Sequence, residues 1–315
     1  MTGYVIRRLL GALLVMLAVS VLVFFMIRLV PGDPIGAMLA DAGSEEAREA
    51  LQRKFGFDQP LPVQFLKWFG NLFHGDLGAS LYGSNQKVTT IILEALPRTL
   101  SLAGLSFMIA IAIALPAGII SALKRNTSTD TAVSLFAFLG LSMPDFWLAI
   151  LLIIVFAANL QWLPAIGYEP LSSGVWEWFS HLILPSIAIG TGFSAIIARM
   201  VRSSLLEVME AEYIRTAASK GLEQRKIIIW HALPNAMLPV ITVLGIAFAL
   251  LISGAVVVEN VFSIKGLGRV LIQGIINRDY PVVQGAVLVV SAFFVFANLI
   301  VDLLYAVIDP RIRYD

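Results

Sequence analysis

The chain alternates between long apolar stretches and short charged segments, and six of the apolar stretches are long. They are Leu9–Ile27, Thr99–Leu123, Thr131–Ala158, Trp178–Ala198, a stretch within Ala236–Val258, and Tyr280–Val301 with a tail to Ile308. A helix that crosses a bilayer needs roughly 20 apolar residues, so six transmembrane helices are predicted. Arg7 and Arg8 precede the first stretch, which could therefore be taken for a signal peptide. A signal core is only about 7–15 residues long and ends at a small-residue cleavage site. This run is longer and ends in Arg28 and Pro31-Gly32-Asp33-Pro34, which predicts a retained helix.

Charge placement then orients the helices. If the N-terminus is cytoplasmic, the segments on that side hold Arg7, Arg8, Lys124, Arg125, Arg199, Arg202, Arg215, Lys220, Arg225, Lys226, Arg311 and Arg313. The two short outer loops hold only Lys265, Arg269 and Arg278, and Asn159–Glu177 has no basic residue. Lysine and arginine favour the cytoplasmic side, so both termini are expected there. Trp162, Trp176 and Trp178 fall at the outer interface, where aromatic belts form. The composition agrees: 58% of residues are hydrophobic and 14% charged, against about 25% charged in soluble domains. With no cysteine, disulfides, thiolate metal sites and cysteine nucleophiles are excluded.

The long outer segment, 31–97, carries its own helix signals. Ser44 is a candidate cap, Glu45 and Glu46 come early, Arg53 and Lys54 late, and Gly56 stands just past the end, the order that the helix dipole favours. A second helix follows Pro62, with Phe65, Leu66, Phe69, Leu72 and Phe73 on one face. This segment reads either as a lid on the membrane surface or as a docking surface for an external partner. Pro116, Pro144, Pro185 and Pro239 lie inside spans, and each removes a backbone donor and can kink its helix.

Candidate chemistry is sparse. There is no G-x-x-x-x-G-K-[ST] phosphate loop and no G-x-S-x-G elbow. His74, His181 and His231 are far apart and form no metal pattern. Lys265-Gly266-Leu267-Gly268-Arg269 has no preceding strand and reads as a turn into a short outer helix. Asp145, beside Pro144, is the one acid well inside a span. With Ser142 and Pro144 it is the candidate lining of a translocation path, since buried ionisable groups in membranes mark such paths. The alternative is a carboxylate that caps the helix restarting after Pro144. Asp302 lies near an interface, where a structural role is expected. A proton-driven carrier would show several facing acids, and a membrane enzyme a nucleophile with a partner base.

The loop between the fourth and fifth spans is the most informative. Glu212-Tyr213-Ile214-Arg215-Thr216-Ala217-Ala218-Ser219-Lys220-Gly221 is rich in helix formers and ends on a helix stop. It predicts a short surface helix presenting Tyr213, Ile214, Ala217 and Ala218 to a groove on a soluble partner.

Here the chain resembles the permeases of binding-protein-dependent ABC importers, whose loop reads E-A-A-x3-G-x9-I-x-L-P. Aligned on Gly221, the residues Ala217, Leu233 and Pro234 match, while Arg215, Thr216 and His231 replace the glutamate, first alanine and isoleucine. Those departures are similar to the peptide and nickel branch, as are Pro31-Gly32-Asp33-Pro34, Phe55-Gly56-Phe57-Asp58-Gln59-Pro60, Trp162-Leu163-Pro164, Glu259-Asn260-Val261-Phe262, Arg278-Asp279-Tyr280-Pro281 and Asp309-Pro310-Arg311. The resemblance covers the whole chain and is to the first permease of the pair.

It implies an all-α type I importer fold in a bacterial inner membrane. Residues 1–97 would form the first helix and a periplasmic segment. Residues 98–315 would form the permease core, with a coupling loop at 203–234. The implied function is uptake of di- or oligopeptides, with glutathione or chelated nickel as alternatives and a proton-coupled carrier as the rival class. The implied partners are a second permease, two ATPase subunits, an extracytoplasmic binding protein and membrane lipid, with no nucleic acid. This chain would hold no cofactor, ATP and magnesium belonging to the ATPases. The residues implied to couple to them are Glu212, Tyr213, Ile214, Arg215, Thr216, Ala217, Ala218, Lys220, Gly221, Leu233 and Pro234.

Overall fold

The structure is a computed structural model that describes residues 2–29, 44–82 and 86–308. Pro31–Pro34 and Asp309–Tyr314, quoted above, lie outside the described residues. Apart from an isolated bridge between Ala79 and Lys87, the described chain is helix, turn and loop. In chain order the helices are α1 (Thr2–Leu29), α2 (Glu45–Phe55), α3 (Leu61–Phe73), α4 (Val88–Leu123), α5 (Ser128–Ser142), α6 (Asp145–Leu152), α7 (Val175–Met209), α8 (Glu212–Ser219), α9 (Leu233–Val261), α10 (Leu267–Ile276) and α11 (Tyr280–Ile308). Among the described residues, five helical stretches are long and apolar enough to cross a membrane, within α1, α4, α7, Gln224–Ile252 and α11. The α5–α6 pair makes a sixth if it is one broken span.

That pair shows how strongly Pro144, expected to be able to kink the third span, turns it. Ser128–Ser142 and Asp145–Asn159 meet at 100°. Pro144 has no N–H to continue the helix and pushes the residue before it out of the helical region. Met143 accordingly adopts φ −87, ψ 125. Pro97, Pro116, Pro185 and Pro239 are instead carried inside continuous helices. Two boundaries also move. The second span begins at Val88, so the division at 97/98 falls inside α4. The fourth runs past Arg199 to Met209, because a charge ends an apolar stretch without breaking a helix, and no glycine or proline follows until Gly221.

Helices α4 and α7 run in the same direction and approach closely at small residues. A Cβ on Gly190 would lie 2.8 Å from the Ser106 carbonyl oxygen, and one on Gly118 only 2.6 Å from that of Ala198. Ala110, Ala114 and Ala188 are fully buried. Small residues of this kind let membrane helices pack backbone to backbone. α9 closes the core, with Leu102, Leu182, Ile189, Leu251 and Val258 fully buried together. α1 lies at the periphery, antiparallel to α11, and Arg8 meets Asp302 at 2.8 Å.

The outer lobe forms as its residues dictate. Gly56 (φ +70) ends α2, its N–H bonded to Arg53 O, while Phe57 N–H bonds to Gln52 O. This pairing satisfies the last carbonyls of a helix. The inward face of α3 differs from expectation. Phe65 and Trp68 close over the buried Phe24 at ring distances of 5.2 and 5.3 Å, whereas Leu66 and Phe73 are exposed. Two buried acids fix the same end of the bundle. Asp279 accepts from Ser80 Oγ, Leu81 N and Val282 N, capping α11. Glu259 accepts from Thr99 Oγ1 and from the Arg269 amide at the start of α10. Gly266 leaves room for that carboxylate, which an added Cβ would strike.

The packing predicts opposite outcomes for two glycines near the same interface. Gly190→Leu should lower the stability of the detergent-solubilised protein by roughly 2–3 kcal/mol. Gly104→Ala, where a Cβ meets nothing within 4 Å, should raise it by about 0.5–1 kcal/mol. Thermal unfolding decides, and an unchanged midpoint for Gly190→Leu would contradict the close approach.

Candidate functional site

The segment 210–236 gathers at the end of the bundle where Arg125, Arg202, Arg215 and Lys220 lie, opposite Trp162 and Trp176. α8 starts after Ala211 in extended conformation (ψ 146) and ends in a tight left-handed turn. Gly221 has φ +78, its N–H bonds to Ala218 O at 3.0 Å, and Leu222 N–H reaches Ala217 O at 3.4 Å. The conformation favours glycine because a Cβ there is strained.

The helix does not present the face that was expected. Ile214 and Ala217 are buried, at 4% and 9% exposure. They pack within this chain, in a cluster with Ala122 of α4, Leu205 of α7, Ile227, and Ala232 and Ala236 around the start of α9. Tyr213 and Ala218 flank that centre and face outward with Glu212, Arg215, Thr216, Ser219 and Lys220. The arc from Tyr213 to Ala218 spans about 140° at 100° per residue; its middle is occupied by the protein itself, and its edges are free. Leu233 packs partly against the same cluster. Pro234 stands in the first turn of α9, where a missing N–H is tolerated. A π-helical turn, Ile227–Ala232, precedes it.

A clamp that sequence reasoning missed holds the helices above α8. The Arg202 guanidinium donates twice to Asp130, Nε to Oδ1 at 2.9 Å and a terminal nitrogen to Oδ2 at 2.8 Å. Ser121 Oγ and the Asn126 amide also donate to this carboxylate. Asp130 is 6% exposed, so its charge is tolerable only because its oxygens are so fully bonded. The clamp joins α4, α5 and α7. Its sequence signal was Thr127-Ser128-Thr129-Asp130, the start signature of α5: Thr127 caps it by accepting from the Asp130 amide. Arg125 pairs with Glu210 at 2.8 Å on the surface nearby. Ser204 Oγ donates to Ala236 O at 2.8 Å, fastening α7 to α9.

The candidate path residues sit at the α5–α6 bend. Ser142 and Pro144 are exposed, and Ser142 Oγ donates to Phe138 O. Asp145 is half-buried as the first residue of α6, a position that the helix dipole favours for an acid. It faces α7, where a Cβ on Gly192 would lie 3.3 Å from its Oδ1. Among the described residues its carboxylate has no ion pair, unlike that of Asp130. Toward the basic end, α5 and α7 border an open cavity of about 760 Å³ lined by Phe138, Leu141, Ile196, Arg199 and Ser203. From sequence, Arg199 is expected as a cytoplasmic charge at the end of the fourth span. The path residues and the α8 residues are thus separate groups, both resting on α7. No group of three or more metal-ligating side chains occurs among the described residues.

Disrupting the clamp should be costly. Arg202→Ala leaves a buried carboxylate unpaired and should destabilise the protein by about 3 kcal/mol. Arg202→Lys should recover only part, because a lysine cannot form the two-pronged pair. Thermal unfolding of the three proteins checks this, and equal midpoints would contradict it.

Comparison with known proteins follows the same outline. Residues 114–314 match the family described as binding-protein-dependent transport system inner membrane component. Residues 1–103 match its N-terminal counterpart. A Brucella abortus (strain 2308) protein named as a peptide transport system permease is 45% identical over 315 residues, covering 100% of both chains. The oligopeptide transport system permease protein AppB of Bacillus subtilis (strain 168) is 38% identical over 316 residues, again covering 100% of both. Among solved structures, an inward-facing form of the MetNI methionine ABC transporter aligns with a TM-score of 0.60 at 19% identity, over 70% of this chain and 97% of that one.

Proposed function

Because the chain belongs to the binding-protein-dependent transport system inner membrane components, we propose that this importer permease carries di- or oligopeptides and is driven through the exposed face of α8. The peptide reading is supported by the names of relatives that are 38–45% identical over the whole length. Glutathione and nickel chelates remain the alternative cargoes of this branch. The chain is a transport subunit of a multi-pass membrane protein family. In the proposed assembly a homologous second permease completes the pathway, two ATPase subunits hold ATP and magnesium, and an extracytoplasmic binding protein delivers the cargo. In this reading both termini lie in the cytoplasm, as the distribution of lysine and arginine favours, and the family description supports a bacterial inner membrane as the site.

One observation carries the coupling role. α8 buries Ile214 and Ala217 against the ends of α4, α7 and α9 and leaves Tyr213, Arg215, Thr216 and Lys220 bare. Such a helix is a rigid piece with one face fixed to the bundle and another free for a partner. An ATPase that moves the free face moves the ends of three helices at once, biasing the bundle between two arrangements. Gly221 sets the turn, and Leu233 and Pro234 start the helix that receives the motion. Ser142, Pro144 and Asp145 sit where a cavity between two permeases would open, with Asp145 able to meet the amino group of a peptide.

The role predicts a split between assembly and coupling. Tyr213→Ala and Lys220→Glu should leave insertion and thermal stability unchanged. Both should lower substrate-stimulated ATPase activity and peptide uptake of the reconstituted transporter about tenfold, the effect of truncating one central interface residue. Wild-type rates in both variants would exclude the outward face of α8 as the coupling surface.

A further inference from the structure

Among the described residues α1 packs along α11, with Phe24 near its outer end under Phe65 and Trp68 of α3, and α1 and α11 leave a groove open at the basic end of the molecule. It encloses about 570 Å³. Arg7, Arg8 and Asp302 stand at its mouth, and Gly11, Val15 and Leu299 line it further in. Arg8 is paired with Asp302 at 2.8 Å. Arg7 is exposed and makes no ion pair among the described residues. Among the described residues, Arg7 therefore adds a guanidinium at the mouth beyond the Arg8–Asp302 pair. Below it the lining is apolar apart from Asn298, whose amide donates to the Phe294 carbonyl of its own helix. A Cβ added at Gly11 would meet nothing within 4 Å, so the wall of α1 is recessed where the groove is entered. From Arg7 to Val15 the groove follows about 12 Å of helix.

We propose that this groove binds one anionic glycerophospholipid, with its phosphate at Arg7 and an acyl chain laid past Gly11 along Val15 and Leu299. The arrangement matches the ligand in sequence from head to tail. A cation sits at the level of the lipid phosphates and an apolar channel runs into the hydrocarbon. The exposed Arg7 guanidinium suits a phosphodiester oxygen. Basic pockets between membrane helices at this depth recognise anionic head groups. Free phosphate shares the head-group chemistry, but it would leave the apolar length of the groove unused. Bound there, the lipid would bridge α1 to α11 beyond the Arg8–Asp302 pair and their direct packing.

Native mass spectrometry of the full chain in detergent, with whatever subunits co-purify, tests the proposal. The protein is titrated separately with dioleoyl-phosphatidylglycerol, dioleoyl-phosphatidylcholine and glycerol 3-phosphate. One phosphatidylglycerol should be retained in preference to phosphatidylcholine, and glycerol 3-phosphate should not bind. Arg7→Gln should lower that retention about fivefold, the effect of one basic residue near a lipid surface. Gly11→Leu fills the recess without opposing the helix and should lower retention by a similar factor while leaving the thermal midpoint intact. Equal retention of the two lipids, retention of glycerol 3-phosphate alone, or unchanged retention in both variants would overturn the assignment.

Discussion

The close approach of α4 and α7 sets the geometry on which the rest of the molecule depends. In a bilayer the helices gain little from leaving lipid for one another, so their association rests on packing and hydrogen bonds. Gly190 against the Ser106 carbonyl and Gly118 against that of Ala198 bring two backbones to a separation that any side chain would prevent. This contact fixes where Ala122 and Leu205 end up. Those residues form the floor on which Ile214 and Ala217 of α8 are seated. The Asp130–Arg202 clamp lies at the same level and ties in α5. A displacement of α8 is therefore felt by helices that cannot slide independently.

The acids divide by what surrounds them. Asp130, Glu259 and Asp279 are buried, and each is bonded to side-chain and backbone donors near the first turn of a helix. A buried charge costs several kcal/mol unless it is satisfied in this way. These three hold elements in place. Asp145 also begins a helix, yet it is half-buried, lacks an ion pair among the described residues, and lies beside the 100° bend of α5 and α6. The other three are each held by several donors of the chain itself.

Much of this was legible in the sequence where local chemistry decides structure. Gly56 and Gly221 end their helices in left-handed turns as their positions implied, and Gly266 opens α10. The six apolar stretches, too, correspond to helices. What escaped was set by tertiary contact. Pro144 turns the chain while Pro116, Pro185 and Pro239 do not, and proline alone does not distinguish them. The apolar arc of α8 was read correctly as an arc, but sequence cannot say that its centre is filled by the chain's own core. Trp68 packs on Phe24, although the apolar spacing of α3 pointed to Phe65, Leu66, Phe69, Leu72 and Phe73. Arg202 looked like a topology signal, since its partner Asp130 lies 72 residues away.

The chain has no cysteine, so single cysteines report without background on the two faces of α8. The decisive measurement is labelling of Tyr213→Cys, Lys220→Cys and Ile214→Cys by a membrane-impermeant maleimide in inside-out vesicles, with the ATPase subunits stripped off and then restored. The account requires Tyr213→Cys and Lys220→Cys to label readily when the vesicles are stripped and to be protected when the subunits return, with Ile214→Cys slow in both states. Labelling of Tyr213→Cys and Lys220→Cys that is unaffected by the ATPase, or that occurs only from the opposite side of the membrane, would contradict it.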